Sequence, residues 1–164
     1  MKSALPLLLM DIDGVLNPYA APVCPPGFSE QMLFEGEGEE PIRVCAEHAE
    51  WIQELIPVFE VVWASGWGDD AQVLATELSL PRFPCVTFPP VPFDPTEKLP
   101  AVATHVGSRP AAWVDDVLTD AAYEWAAARG FPTLLIQTDP AVGLCRDHVD
   151  QLLTWATQVR DRRA

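Results

Sequence analysis

Four aspartates and one lysine are the residues of this chain whose types and places point most directly to chemistry. Asp11 and Asp13 stand one residue apart after the apolar run 5–10, and Asp115 and Asp116 stand side by side after the apolar run 111–114. Ser65 follows a third apolar stretch containing Phe59, Val61, Val62 and Trp63, and Lys98 lies between the second and third stretches. The chain has only two lysines, Lys2 and Lys98, so the place of the second carries more information than one lysine among many would. A single aspartate at a strand end is commonly a cap or turn former. Four carboxylates converging without a cation would repel one another, because two unit charges 4 Å apart interact by about 4 kcal/mol at an effective dielectric near 20. Such a cluster must bind a metal or shift its pKa values. A few oxygen ligands, with room left for water and a substrate phosphate, suit Mg²⁺ better than a dedicated Ca²⁺ cage. With Lys98 as a second positive centre, the set meets the needs of phosphoryl transfer: an in-line nucleophile, cationic stabilisation of the equatorial oxygens, and a group that manages the leaving-group proton.

These residues need elements to bring them together. Residues 5–10 form a short unbroken apolar run, which suits a strand buried on both faces whose carboxyl end opens onto a site. Residues 17–43 hold Pro18, Pro22, Pro25, Pro26, Gly27, Gly36, Gly38 and Pro41, so a flap or short hairpin is expected there rather than a long helix. Acid gathers from position 30 to position 60, with Arg43 as the one basic partner, as on a solvated acidic face. Val44, His48, Trp51, Ile52 and Leu55 mark the buried stripe of a helix that Pro57 helps to end. Phe59 to Trp63 is expected as a strand, and Asp69 or Asp70 as the cap of a helix carrying Val73, Leu74 and Leu78. A short strand is expected over 85–88, a stiff proline-rich loop over 88–95 with Pro89, Pro90, Pro92 and Pro95, and a modest helix over 97–105. The run 111–114 is a buried strand, and Thr119 or Asp120 starts a helix with Ala122, Trp125 and Ala126 on its inner face. Residues 133–137 are another strand. Val149, Leu152, Leu153, Ala156 and Val159 line a closing helix that ends in Arg160, Arg162 and Arg163, as suits a helix dipole. Alternating strands and helices imply an α/β fold with a parallel sheet, right-handed crossovers and helices on both faces. Ligands of such sheets sit beyond the carboxyl ends of the strands, where the aspartates fall.

Composition bounds the partners. The chain has 164 residues, 49% of them apolar and 21% charged, the balance of one compact domain spanning 1–164. A net charge of −14 disfavours a general binder of nucleic-acid backbones, which needs a basic face, and an anionic substrate would need a local positive centre. The apolar run near the start is too short to span a bilayer and lacks a small-residue cleavage site, so no membrane association and a cytoplasmic location are expected. Cys24, Cys45, Cys85 and Cys145 lie far apart with no CxxC pair, and reduced thiols are expected. Cys45-Ala46-Glu47-His48 lacks the second paired cluster of a structural zinc site. His48, His105 and His148 fall in helical patterns and are expected in packing or at the surface, not as bases.

Asp11-Ile12-Asp13-Gly14-Val15-Leu16-Asn17 resembles the DxDGV first motif of the haloacid dehalogenase-like (HAD) hydrolase superfamily. Ser65 in Trp63-Ala64-Ser65-Gly66-Trp67 matches that superfamily's second motif, Lys98 the third, and Trp113-Val114-Asp115-Asp116 the fourth. Order and spacing fit over positions 5 to 139, and the chain looks most similar to the small HAD domains found in bacterial RNA-repair proteins. The resemblance implies a three-layer Rossmann-like fold. It makes Asp11 the nucleophile that forms an aspartyl-phosphate, and Asp13 the acid that protonates the leaving oxygen and later activates water. It assigns Ser65, with the backbone amides of Ile12, Asp13 and Gly66, to the phosphate oxygens, and Lys98 to the charge on Asp11 and the phosphoryl group. It implies Mg²⁺ held by the Asp11 carboxylate, the Asp13 backbone carbonyl, Asp115 and Asp116, with Asp116 favoured as the direct ligand and Asp115 as its water-mediated or Lys98-pairing neighbour.

The motif intervals are too short for a large independent cap domain, so the resemblance is to capless members, with the segment 17–43 as a partial lid. Serine replaces the commoner threonine of the second motif and keeps the hydroxyl. A phosphoacceptor receiver domain also gathers carboxylates, a hydroxyl and a lysine, but its adjacent acidic pair comes first, whereas here the pair comes last. The expected activity is Mg²⁺-dependent hydrolysis of a small-molecule phosphomonoester, and a nucleic-acid-end phosphate is disfavoured by charge. The competing reading is a catalytically weak metal- or phosphate-sensing or protein-binding module that works through its acidic flap. Tyr19, Phe28 and Trp67 are equally suited to line a pocket or to pack in a lid or core.

Overall fold

A computed structural model describes residues 4–90 and 93–163. Four parallel strands make the central sheet: β1 (Leu7–Met10), β4 (Glu60–Trp63), β5 (Ala111–Asp115) and β6 (Thr133–Gln137), in the order β4-β1-β5-β6. Every residue of β1 is buried, the mark of a strand covered on both faces. Period-two alternation divides its side chains between two cores. Leu8 and Met10 pack with Ile52 and Leu55 of α1 (Ala46–Leu55), Leu74 of α2 (Ala71–Glu77), and Val149 and Leu152 of α5 (Arg146–Asp161). Leu7 and Leu9 pack on the other face with Val102 and Val106 of α3 (Leu99–Val106) and Ala122 of α4 (Asp120–Ala128). The chain leaves β1 toward one edge and, after β4, steps back past β1 to β5. Right-handed crossovers in opposite directions place their helices on opposite faces, so this reversal yields the three layers expected of a Rossmann-like fold.

A second sheet is the antiparallel hairpin of β2 (Phe28–Gln31) and β3 (Ile42–Cys45), which overlaps the proline- and glycine-rich segment 17–43, where a flap or short hairpin is expected, and extends past it to Cys45. Val44 belongs to this hairpin, paired with Ser29, and not to the helix that its spacing suggested; α1 begins at Ala46. The expected strand over 85–88 is reduced to one bridge between Cys85 and Trp63. Pro84, Pro89 and Pro90 flank it and lack the N–H groups a longer ladder requires. Pro92 of the following loop lies outside the described residues. Asp70 precedes α2, but it has helical rather than extended backbone angles (φ −64°, ψ −18°) and its side chain makes no capping bond. Thr119 does cap α4, its side chain accepting from the Ala122 amide.

Candidate active site

The reversal of strand order opens a crevice between the carboxyl ends of β1 and β5, and the two acidic motifs flank it. Asp11 follows β1, Asp115 is the last residue of β5, and Ser65 follows β4 by two residues. Lys98 sits just before α3, where a 3-10 turn over Pro95–Glu97 runs into the helix, rather than within the helix. Its Nζ lies 3.0 Å from Asp11 Oδ2 and 2.8 Å from Asp115 Oδ2, and donates to the Ala64 carbonyl at 3.1 Å. Two of its protons go to Asp115 and the Ala64 carbonyl, and Asp11 is its second ion-pair partner. The three charged groups are almost dry: Asp11 is 5% exposed, Lys98 4% and Asp115 0%. Asp11 Oδ1 accepts from its neighbour's amide, Ile12 N, at 2.8 Å, and Asp115 Oδ1 from Val117 N at 2.9 Å.

Burial pushes the Asp11 carboxyl well above the usual carboxylate range, and the nearby Asp115 charge adds to the rise; Lys98 and the Ile12 amide pull the other way. Asp116 is raised by the same two causes, burial first and Asp115 second. Burial would lower the Lys98 ammonium, but Asp11 and Asp115 together outweigh it and hold the lysine above its ordinary value, firmly charged. One ammonium among three nearby carboxylates leaves the rim short of positive charge.

Asp13 points to a different set of partners. Its Oδ1 accepts from Asn17 Nδ2 and its Oδ2 from Trp67 Nε1, both at 2.9 Å. Asn17 also ties the turn to the hairpin, its Oδ1 accepting from the Arg43 amide at 3.2 Å. Gly14 has φ +81°, and a Cβ there would run into the Asp116 carboxylate, so both the turn and the approach of Asp116 require glycine. Thr138 Oγ1 donates to the Gly14 carbonyl at 2.7 Å and braces the turn from the end of β6. The Tyr19 hydroxyl donates to Asp116 Oδ2 at 3.4 Å.

Asp11, Asp13, Ser65, Gly66, Lys98 and Asp116 all border one cleft of about 990 Å³. Ser65 is buried beside it, its Oγ accepting from the Trp67 amide at 3.2 Å. The expected trio of phosphate-facing amides is not intact. The Ile12 N–H is held by the Asp11 carboxylate, which lies within its reach as the adjacent residue, while the amides of Asp13 and Gly66 donate to nothing among the described residues. Asp11, Asp115 and Asp116 each bring a carboxylate oxygen within 4.8 Å of the others, an all-oxygen set that suits a hard divalent cation. The Asp13 carboxylate stands outside that group. Two of the aromatics placed alike in pocket or packing, Tyr19 and Trp67, border the cleft, whereas Phe28 packs edge-on against His48 with ring centres 5.4 Å apart. Spacing alone did not assign partners to Asn17, Thr138 or Arg43. Asn17 ends the first motif, four residues from Asp13, and that interval is the one available signal for its bond to Asp13.

Comparison with known proteins gives the fold and the family. Among solved structures, a hypothetical protein from Xanthomonas campestris aligns with a TM-score of 0.52 at 13% identity, over 96% of this chain and 86% of that one, a likeness of fold alone. No curated protein matches the chain. The sequence family described as the HAD domain in Swiss Army Knife RNA repair proteins matches residues 7–149, from the first strand of the sheet into α5. That match covers all four motifs and most of the chain, which therefore belongs to this family of HAD domains.

Proposed function

We propose that the protein is a Mg²⁺-dependent phosphomonoester hydrolase that works through a phosphorylated Asp11. The observation that carries this reading is the Lys98 ammonium held between Asp11 and Asp115 at the bottom of an open cleft, with Asp116 beside them. Family membership supports the hydrolase class. Asp11, Asp115, Asp116 and the Asp13 carbonyl would hold the cation. Asp115 has one oxygen bound to Lys98 and the other to Val117 N, so Asp116 offers the freer carboxylate. Bound there, Mg²⁺ would supply the missing positive charge and polarise the phosphoryl oxygens.

The residues then divide the work. An Asp11 carboxylate oxygen attacks phosphorus in line, forming the acyl-phosphate P–O bond as the ester P–O bond breaks, and Asp13 gives its proton to the departing oxygen. Lys98 and the Ser65 hydroxyl stabilise charge on the phosphoryl oxygens, joined by the free amides of Asp13 and Gly66. Asp13 next takes a proton from water, whose oxygen attacks phosphorus and displaces Asp11; inorganic phosphate leaves and the carboxylate is restored. The test is Mg²⁺-dependent phosphate release from p-nitrophenyl phosphate. Asp11→Asn is expected to lower turnover by at least about a thousandfold with its circular dichroism unchanged; near-normal turnover would remove Asp11 as nucleophile. Among the described residues no helix is long and apolar enough to cross a membrane.

A further inference from the structure

The walls of the cleft carry information that the reacting groups do not. Tyr19, Phe34, Trp67 and Phe93 border it, with Phe34 set edge-on to Trp67 at 5.4 Å between ring centres and Phe93 stacked on Phe88 at 5.5 Å. Glu30, Glu39, Glu40 and Asp70 line the same cleft and are exposed. Among the described lining residues the cations are Lys98 and Arg43. Lys98 lies at the floor, paired with Asp11 and Asp115 and bonded to the Ala64 carbonyl, where it serves the transferred phosphoryl group. Arg43 is turned to the base of the hairpin: its Nη1 donates to the carbonyls of Pro18 and Ala21 at 2.9 and 2.7 Å, and its Nε lies 3.6 Å from Glu30. A second phosphate or carboxylate on a substrate would therefore meet exposed carboxylates and cations already paired with carboxylates, Lys98 with Asp11 and Asp115 and Arg43 with Glu30. A flat ring would find aromatic edges and faces, and a cation would be welcomed by both the rings and the acids.

We propose that the site selects phosphomonoesters of flat leaving groups that carry a positive charge or none, and rejects esters bearing a further negative charge, phosphorylated nucleic-acid ends included. This rests on the phosphatase reading above and assigns its substrate class. It takes the opposite direction from the RNA repair named in the family's description, and the charge on the hairpin is the reason.

The experiment uses two esters of one ring, matched in size and opposite in charge: O-phosphotyramine and 3-(4-phosphooxyphenyl)propionate, with a 5′-phosphorylated oligonucleotide as a third arm. At low salt kcat/KM is expected to favour the amine by about tenfold or more, the advantage shrinking toward twofold at about 1 M salt and in a Glu39→Gln/Glu40→Gln variant. Equal rates, a preference for the propionate, or better turnover of the oligonucleotide would overturn the proposal while leaving hydrolysis intact. Calorimetric binding of the same esters to Asp11→Asn in Mg²⁺ separates the two claims. A tenfold binding preference without turnover by the wild-type protein would sink the phosphatase reading and keep the selectivity, whereas no difference in binding would sink the selectivity.

Discussion

The rim at the strand ends and the hairpin above it are built from similar acidic material by opposite means. At the rim, Asp11, Asp115 and Lys98 sit on buried strand ends and a helix start, dry and mutually bonded. In the hairpin, the carboxylates of Glu30, Glu39 and Glu40 are exposed, and the segment is tied down through Arg43, Asn17 and the Phe28–His48 contact. Surface ion pairs such as Arg43–Glu30 contribute at most about 1 kcal/mol, whereas a broken buried pair costs several. Carboxylates thus acquire reactivity from desolvation and one fixed cation, while solvated ones act at a distance by their field. The proposed chemistry therefore belongs to the rim and the proposed selection to the hairpin.

That contrast breaks most visibly at Lys98. Replacing Lys98 by Met leaves two buried carboxylates facing each other, and is expected to destabilise the fold by about 3–5 kcal/mol and lower the Tm by about 10 °C. Thermal unfolding measures it, and a shift within error would show that the rim is not truly desolvated. A sharper division concerns Asp13, which joins the two regions through Asn17 and Trp67. Asp13→Asn is expected to lower kcat by about a hundredfold or more, and Trp67→Phe, which keeps the ring beside Phe34 but removes the N–H, by about five- to tenfold with KM nearly unchanged. Steady-state kinetics on p-nitrophenyl phosphate reads both, and a loss confined to KM would make these residues binders of substrate instead.

The smallest expected effect lies under the hairpin. His48 Nε2 is 3.0 Å from the Leu144 carbonyl oxygen, so the neutral ring carries its proton there, and burial pushes the imidazole below the usual histidine value. The unfolded chain then takes up a proton first. Stability present above about pH 6.5 is lost as the pH falls from that value toward the lower folded one, at up to about 1.4 kcal/mol per pH unit. Denaturant unfolding between pH 7 and 5, compared with His48→Gln, isolates this slope; the same slope in both proteins would remove His48 as its source.

The parallel sheet and its helices were legible because buried strands read as short apolar runs, and the site because each run ends in a polar residue with a fixed place in the order. Residues 133–137 were read to the residue. Pairing across the hairpin was not legible: Val44 fits the helical stripe of His48, Ile52 and Leu55 as well as it fits β3, and only its partner Ser29 decides. Capping at Asp70 failed because a 3-10 turn enters α2 ahead of it. The contacts of Asp13 with Trp67, and of Lys98 with the Ala64 carbonyl, join residues 54 and 34 positions apart, and no spacing rule reaches across the sheet.

The proposed mechanism requires a covalent bond at one carboxylate. Acid-quenched mass spectrometry of the Asp11-containing peptide, taken from Asp13→Asn protein incubated with Mg²⁺ and p-nitrophenyl phosphate, tests it directly. One phosphoryl group is expected on Asp11, because the variant should slow water's attack and let the acyl phosphate accumulate. Phosphate released with Asp11 unmodified throughout, or a phosphoryl group on any other residue, would contradict it.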